Sequence, residues 1–334
     1  MKVYILAAAI AGMVLAAGGT LASAQAGAQG GGRQGGGRQG APDGGGAPAV
    51  PAPVRNAQGV LIETPPRATI PNGGTYQAKV DTAPASSAMA APTMRRTPRH
   101  GEWVDIPVGR VKLHTWISYP DGNAKVPVVL VLSDEAGMWD DFPRGIADQL
   151  AQDGFIGVVP DFVSGMGPKG GNWDSFESTN LAVIAAKKLS IQDALGLSKG
   201  ARDYALKLPR ANGKSATLGF GLGGDASFAA AALLPGLSAA IVFDGNTAPD
   251  AATMAKITAP VLYFGGDLND RDVAMVASAS PAMEKLGKSF EYHIWAITTG
   301  QFVQIGQPAN DTQANLASWP IAKKFLQDHT SRSK

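Results

Sequence analysis

The turn Gly219-Phe220-Gly221-Leu222-Gly223-Gly224 is the densest chemical signal in the sequence. It follows an apolar run and opens a helical one, so it admits two chemistries. Gly219, Gly221 and Gly224 satisfy G-x-G-x-x-G, and Asp244 stands 20 residues after Gly224, where an acid would hold a ribose. That pattern cradles the pyrophosphate of a dinucleotide. The same residues satisfy G-x-Nuc-x-G-G, the sharp strand-to-helix turn that exposes a nucleophile. Here the central position is Gly221, which offers no reacting atom. A third use needs no ligand, because small residues let a helix and a strand approach closely.

Acid, base and nucleophile have few carriers. The chain has no Cys, which excludes disulfides, a thiol nucleophile, Cys-ligated zinc and iron–sulfur clusters. Its four histidines are His100, His114, His293 and His329, too few and too scattered for a multi-histidine metal site. A general base must reach its nucleophile by a hydrogen bond, and none of the four falls on a loop at the carboxyl end of an expected strand. Ser133 does fall there, with Asp134 and Glu135 beside it, and is the hydroxyl placed to act as an unorthodox nucleophile. Ser227 lies a turn into a helix and would point along it.

The elements that must position these residues alternate. Trp103 to Ile106 and Arg110 to Tyr119 switch between apolar and polar, as a half-buried antiparallel pair does. Pro127 to Leu132 and Phe155 to Val159 are continuous apolar runs and hence buried strands. Asp140 to Asp153 reads as a helix stopped by Gly154. Helices over Ile191 to Leu208, Asp225 to Leu234, a stretch through Met283 and Leu286, and Thr312 to His329 are interleaved with strands at Ser215 to Phe220, Ser238 to Phe243, Pro260 to Phe264 and Phe290 to Trp295. Such alternation predicts an α/β domain with a mainly parallel central sheet flanked by helices, its function at the carboxyl ends of the strands.

That domain is not the whole of the 334 residues. Lys2, the apolar run Val3 to Ala17 and Ala22-Ser23-Ala24 read as a secretory signal peptide over 1–24, with an uncleaved membrane anchor as the alternative. Eleven glycines fall in the 24 residues from Gln25 to Pro48, and 25–101 reads as a disordered Gly/Pro/Ala-rich linker. The linker carries a net charge of +5 and residues 102–334 carry −4. No nucleic acid is therefore expected on the folded domain, and no membrane span after cleavage. The expected location is periplasmic or secreted.

From Trp103 to Thr330 the chain resembles the dienelactone hydrolase family of the α/β-hydrolase fold. The resemblance is carried by Trp103-Val104-Asp105-Ile106-Pro107, by Pro127-Val128-Val129 leading to a loop with Gly137, and by Ala147-Asp148-Gln149-Leu150-Ala151 followed by Gly154-Phe155. Further along come Pro160-Asp161, Gly219-Phe220-x-x-Gly223-Gly224, and Ala259-Pro260-Val261-Leu262 with Gly265-Gly266-Asp267. It implies an eight-stranded, mostly parallel sheet over 102–330 and a Cys-His-Asp triad acting on esters or lactones. Carried across, the nucleophile falls on Gly221 and the base on Gly300. The acid falls on Asp270, with Asp267 as the alternative, and the family's His-Glu pair falls on Ser133-Asp134.

The resemblance further implies an oxyanion hole from the N–H groups of Leu222 and Glu135. Asp134, Glu135, Asp225 and Asp270 would surround it, which disfavours an anion and leaves a neutral or cationic small ligand. Trp173, in the loop Phe162 to Asn180, would wall the pocket. No cofactor and no metal are expected. The sequence thus points to an exported, catalytically inactive dienelactone-hydrolase-like protein acting as a binding or structural subunit in an envelope complex. The rivals are an active ester or lactone hydrolase using Ser133 and a dinucleotide-binding protein using Gly219 to Gly224.

Overall fold

The computed structural model describes residues 51–66, 87–139, 141–305 and 309–331. The expected signal peptide and the glycine-rich half of the expected linker lie outside them. Residues 67–86 of the linker lie outside them too, and the described parts, 51–66 and 87–101, differ from the expectation. Val54–Arg55 (β1) and Leu61–Glu63 (β2) form a hairpin. Asn56 folds its turn by accepting the N–H groups of Gln58 and Val60, at 3.0 and 2.9 Å. Val60 is buried. Ser87–Arg96 forms a helix, α1, with Ala90 fully buried.

The alternating segment beyond folds as its pattern predicts. β3 (Gly101–Val108) and β4 (Val111–Ser118) are an antiparallel pair. The buried strands are β5 (Val126–Leu132), β6 (Ile156–Pro160), β7 (Ala211–Phe220), β8 (Ala239–Phe243), β9 (Val261–Gly266) and β10 (Phe290–Trp295). Between them lie α2 (Phe142–Gln152), α3 (Thr179–Ala186), α4 (Ile191–Ala205), α5 (Leu222–Leu233), α6 (Ala251–Ala255) and α7 (Asp270–Lys285). After β10 come α8 (Phe302–Ile305) and α9 (Ala309–Thr330). The short helices α3, α6 and α8 have too few turns to show a period in the sequence.

The sheet order is β1-β2-β10-β9-β8-β7-β5-β6-β4-β3, parallel from β6 through β10. Eight of these strands, β3 to β10, match the expected sheet; the hairpin adds two at the β10 edge. The chain runs from β5 out to β6 and then crosses back to β7 on the other side of β5. Between β5 and β7 the strand order reverses, and in open α/β sheets this crevice is where ligands bind. The loops after β5 and β7 meet there.

Beneath those loops the sheet carries a row of rings in register. Phe220 pairs with Phe243, Phe243 with Phe264, and Phe264 with His293. Their rings stack at 5.2, 4.8 and 5.4 Å between centroids. His293 ends the row and ties the added hairpin to the sheet. Its Nδ1 lies 2.6 Å from Glu63 Oε2 and its Nε2 lies 3.2 Å from Glu291 Oε1.

Burial alone would lower the His293 pKa, but the hydrogen bonds and charges of Glu63 and Glu291 outweigh it and hold the ring above the ordinary histidine value. A folded value above the unfolded one stabilises fully below the unfolded value and is lost as pH rises through the folded one. The gap in melting temperature between wild type and Glu63→Gln should therefore be widest at about pH 6 and shrink at higher pH. A gap constant from about pH 6 to 9 would show that the imidazolium does not hold the hairpin.

Candidate functional site

β7 ends at Phe220, and Gly221 turns the chain into α5 at φ 50° and ψ −118°. Its N–H donates to Phe243 O at 3.1 Å, and its carbonyl accepts from Asp225 N at 3.0 Å. This left-handed conformation is open to glycine and strained for a residue with a Cβ. A Cβ placed there would point at Asp134 Cβ, 3.3 Å away, and at Glu135 Oε2, 3.5 Å away. The turn is therefore a nucleophile elbow in shape with nothing at its tip. The flanking glycines serve packing: a Cβ on Gly219 would strike the Gly223 carbonyl, and one on Gly223 would strike the carbonyls of Leu132 and Ser133.

Gly300 follows β10. A Cβ there would come within 2.6 Å of Asn269 Nδ2, so the space of an imidazole is taken by an amide. The loops after β9 and β10 are laced together. Asp267 accepts the Thr298 N–H at 3.2 Å, and Leu268 N donates to Thr298 O at 3.0 Å. Asp267 is thus the carboxylate that faces the turn carrying Gly300. Asp270 is exposed in the first turn of α7, and it does not line the cleft described below.

Gly221 and Gly300 line one cleft of about 390 Å³, within the usual range for small-molecule sites. Glu135 from the β5 loop and Asp244 from the end of β8 line it as well, with Asn246, Asn269 and Gln301. Leu268 and Arg271 stand at its rim, and Arg271 Nη1 donates to Asn246 Oδ1 at 3.4 Å. The Leu222 N–H lies in the first turn of α5, where helix geometry supplies no intrahelical acceptor.

The carboxylates here are held away from ordinary behaviour. Asp225 accepts the N–H groups of Asn246 and Thr247 at 2.7 and 2.9 Å. Burial, with the charge of Glu135 adding to it, pushes its pKa up to about 6. Asp272 is fully buried and receives Tyr263 Oη–H at 2.7 Å and the Gly266 N–H at 3.0 Å. It also shares a hydrogen bond with Asp244, and burial raises its pKa.

Among the described residues, four non-glycine positions adopt left-handed φ. Asp244 (50°), Ile297 (54°) and Gln301 (61°) are three of them, and all lie in the loops around this cleft. Such strain persists only where its surroundings over-determine it, and it gathers at functional sites.

Other expected site residues fall elsewhere. Ser133 is 1% exposed, its hydroxyl has no hydrogen-bond partner among the described residues, and it does not line the cleft. Asp134 is turned back on its own loop, accepting the Ala136 N–H at 3.0 Å. Trp173 forms no wall of the cleft: its ring packs beside Trp103 and Trp139, at 6.4 and 6.2 Å, and its backbone N–H donates to the buried Asp161 at 2.9 Å. The aromatic side chain found a larger apolar neighbourhood on the β3–β4 side of the sheet than the polar cleft offers.

None of the four histidines lines the cleft. His114 is bonded to Asp105 at 2.7 Å and stacked on Trp103, and His100 is stacked on Tyr119. His329 packs edge-on against Phe325. The Ser227 hydroxyl is buried between Thr217 Oγ1 and the Ile241 carbonyl, at 2.8 Å from each. Sequence reading missed Arg271, Asn246, Asn269 and Gln301, and weighed Asp244 only as a ribose acid. Their one signal was position, just beyond the carboxyl ends of β8, β9 and β10. Among the described residues no group of three His, Asp or Glu is placed to hold a metal ion.

The sequence model of the dienelactone hydrolase family matches residues 113–330. No curated protein matches the chain. The dienelactone hydrolase of Anabaena variabilis shares 21% identity and superposes with a TM-score of 0.55 over 70% of this chain and 100% of its own. A dienelactone hydrolase-like promiscuous phosphotriesterase from metagenomic libraries shares 18% identity, with a TM-score of 0.59 over 70% of this chain and 99% of its own. Pyrococcus horikoshii acylaminoacyl peptidase is similar over 73% of this chain and 44% of its own, at 13% identity and a TM-score of 0.57.

Proposed function

Because the chain belongs to the dienelactone hydrolase family, we propose that it is an exported member that does not hydrolyse esters and keeps the cleft as a ligand-binding site, as a binding or structural subunit of the cell envelope. One observation carries this reading. The elbow keeps its strained geometry at Gly221, while among the described residues the cleft it opens into is lined by no hydroxyl, no thiol and no imidazole. Acyl transfer needs an activated nucleophile, and backbone N–H groups alone leave a small fraction of triad catalysis. Export is supported by the n-region, apolar run and Ala22-Ser23-Ala24. Among the described residues no helix is long and apolar enough to cross a membrane.

The test uses the native protein recovered from the envelope fraction. Its mass should correspond to a chain starting at Gln25, and its turnover of activated phenyl esters should stay at the rate without protein. Ser133→Ala should leave that rate unchanged, and Gly221→Cys should stay inert because Gly300 supplies no base. Robust turnover abolished by Ser133→Ala would replace this reading with a serine esterase. An intact Met1 in the membrane fraction would replace export with anchoring.

A further inference from the structure

Resting on the reading of the cleft as a binding site, we infer that its ligand is an uncharged polyhydroxylated molecule of the saccharide class. The lining brings hydrogen-bond acceptors and donors together. Glu135 and Asp244 bring carboxyl oxygens, whereas Arg271 brings a guanidinium and Asn269 turns its amide nitrogen toward Gly300. An anion meets Glu135 and Asp244, with Asp225 behind them. A compact cation meets Arg271. A hydroxyl both donates and accepts, so neighbouring hydroxyls on one ring satisfy both kinds of group without placing a charge next to its like.

Two further observations narrow the class. Among the described residues Leu268 is the one hydrophobic side chain lining the cleft, and it is 60% exposed at the rim. That suits the C–H face of one sugar ring and leaves no apolar trough for an acyl chain. A peptide in extended form is recognised by adding to a free strand edge. The cleft instead opens at the ends of interior strands, and the sheet's edges are β1 and β3. The left-handed backbone at Asp244 and Gln301 fixes two of the binding groups in advance, which lowers the ordering cost of a small, weakly apolar ligand.

The mature protein, titrated by ligand-observed NMR and calorimetry, decides this with three sets of probes. These are neutral sugars (glucose, N-acetylglucosamine, cellobiose and chitobiose), cations (choline and spermidine) and anions (acetate and inorganic phosphate). At least one neutral sugar should bind saturably and better than any charged probe. Glu135→Gln, at a half-buried position, and Arg271→Ala, at an exposed one, should each weaken that binding about tenfold or more with an unchanged melting temperature.

If a charged probe binds at the cleft in preference, the ligand class is wrong and the binding reading survives. If no probe binds, or if both variants bind sugar as wild type does, the proposal fails. Ester turnover would overturn the non-hydrolytic reading and leave the sugar result to stand on its own.

Discussion

Arg99→Ala should lower folding stability by about 3–5 kcal/mol, the cost of leaving one member of a buried ion pair alone. Its guanidinium grips Asp148 of α2 as a fork, Nε to Oδ1 at 3.0 Å and Nη2 to Oδ2 at 2.6 Å. Thr97 Oγ1 donates to the same carboxylate at 2.7 Å. The two side chains are only 10% and 3% exposed, so water cannot replace the lost partner. Replacing both together, Arg99→Met with Asp148→Leu, should cost less than either single change, because no charge is then stranded. Urea denaturation of the four proteins measures the cycle. A loss under about 1 kcal/mol for Arg99→Ala, the range of exposed pairs, would mean that residues 87–101 do not dock on the domain.

Gly223→Ala should be the more damaging of two formally identical changes. In a helix interior Gly→Ala ordinarily stabilises by about 0.5–1 kcal/mol. Gly196 in α4 is exposed, with open space where its Cβ would go, so Gly196→Ala should show that gain. At Gly223 the added methyl would strike the carbonyls of Leu132 and Ser133. Those atoms belong to the end of β5 and the loop after it, and they cannot rotate away. α5 must shift on the sheet, at a cost above about 3 kcal/mol if the strand does not yield. Thermal melts of both variants decide it. A Gly223→Ala protein as stable as wild type would separate α5 from β5 and undo the elbow's geometry.

Much of this was legible in the sequence because the physics was local. Pro127 to Leu132 is a buried strand whatever surrounds it, and Gly154 stops α2 with its own φ of 92°. The elbow was visible because the two flanking contacts need glycine. The hairpin was not, since Val60-Leu61-Ile62 is too short to show a period and its partner β10 lies some 230 residues on. Only the pairing of Ile62 with Ile294 and of Glu63 with Trp295 makes it a strand. α1 was hidden for a similar reason, because Ala90 is a core residue only once α2 exists to cover it.

The cleft itself was half legible. Gly221, Gly300 and Glu135 were placed there by the family resemblance, and they line it. The groups that give it character sit in loops, where no periodicity marks a side chain as inward. Asp244 illustrates this. Its carboxyl meets Asp272, which lies in the next crossover and is held there by Tyr263 and Gly266. Trp173 shows the converse error, in which a large aromatic in a loop near the site was given to the site although Trp103 and Trp139 offered it better company.

The account stands on the cleft having no activated nucleophile, and covalent trapping reads this most directly. A fluorophosphonate forms a stable bond with a serine whose hydroxyl is activated by a neighbouring base, and spares ordinary serines. Incubated with an excess of this reagent, the mature protein should keep its intact mass, and no peptide carrying Ser133 or the 219–224 turn should be labelled. Stoichiometric labelling of one residue, above all Ser133, would contradict the account and make the chain a working hydrolase.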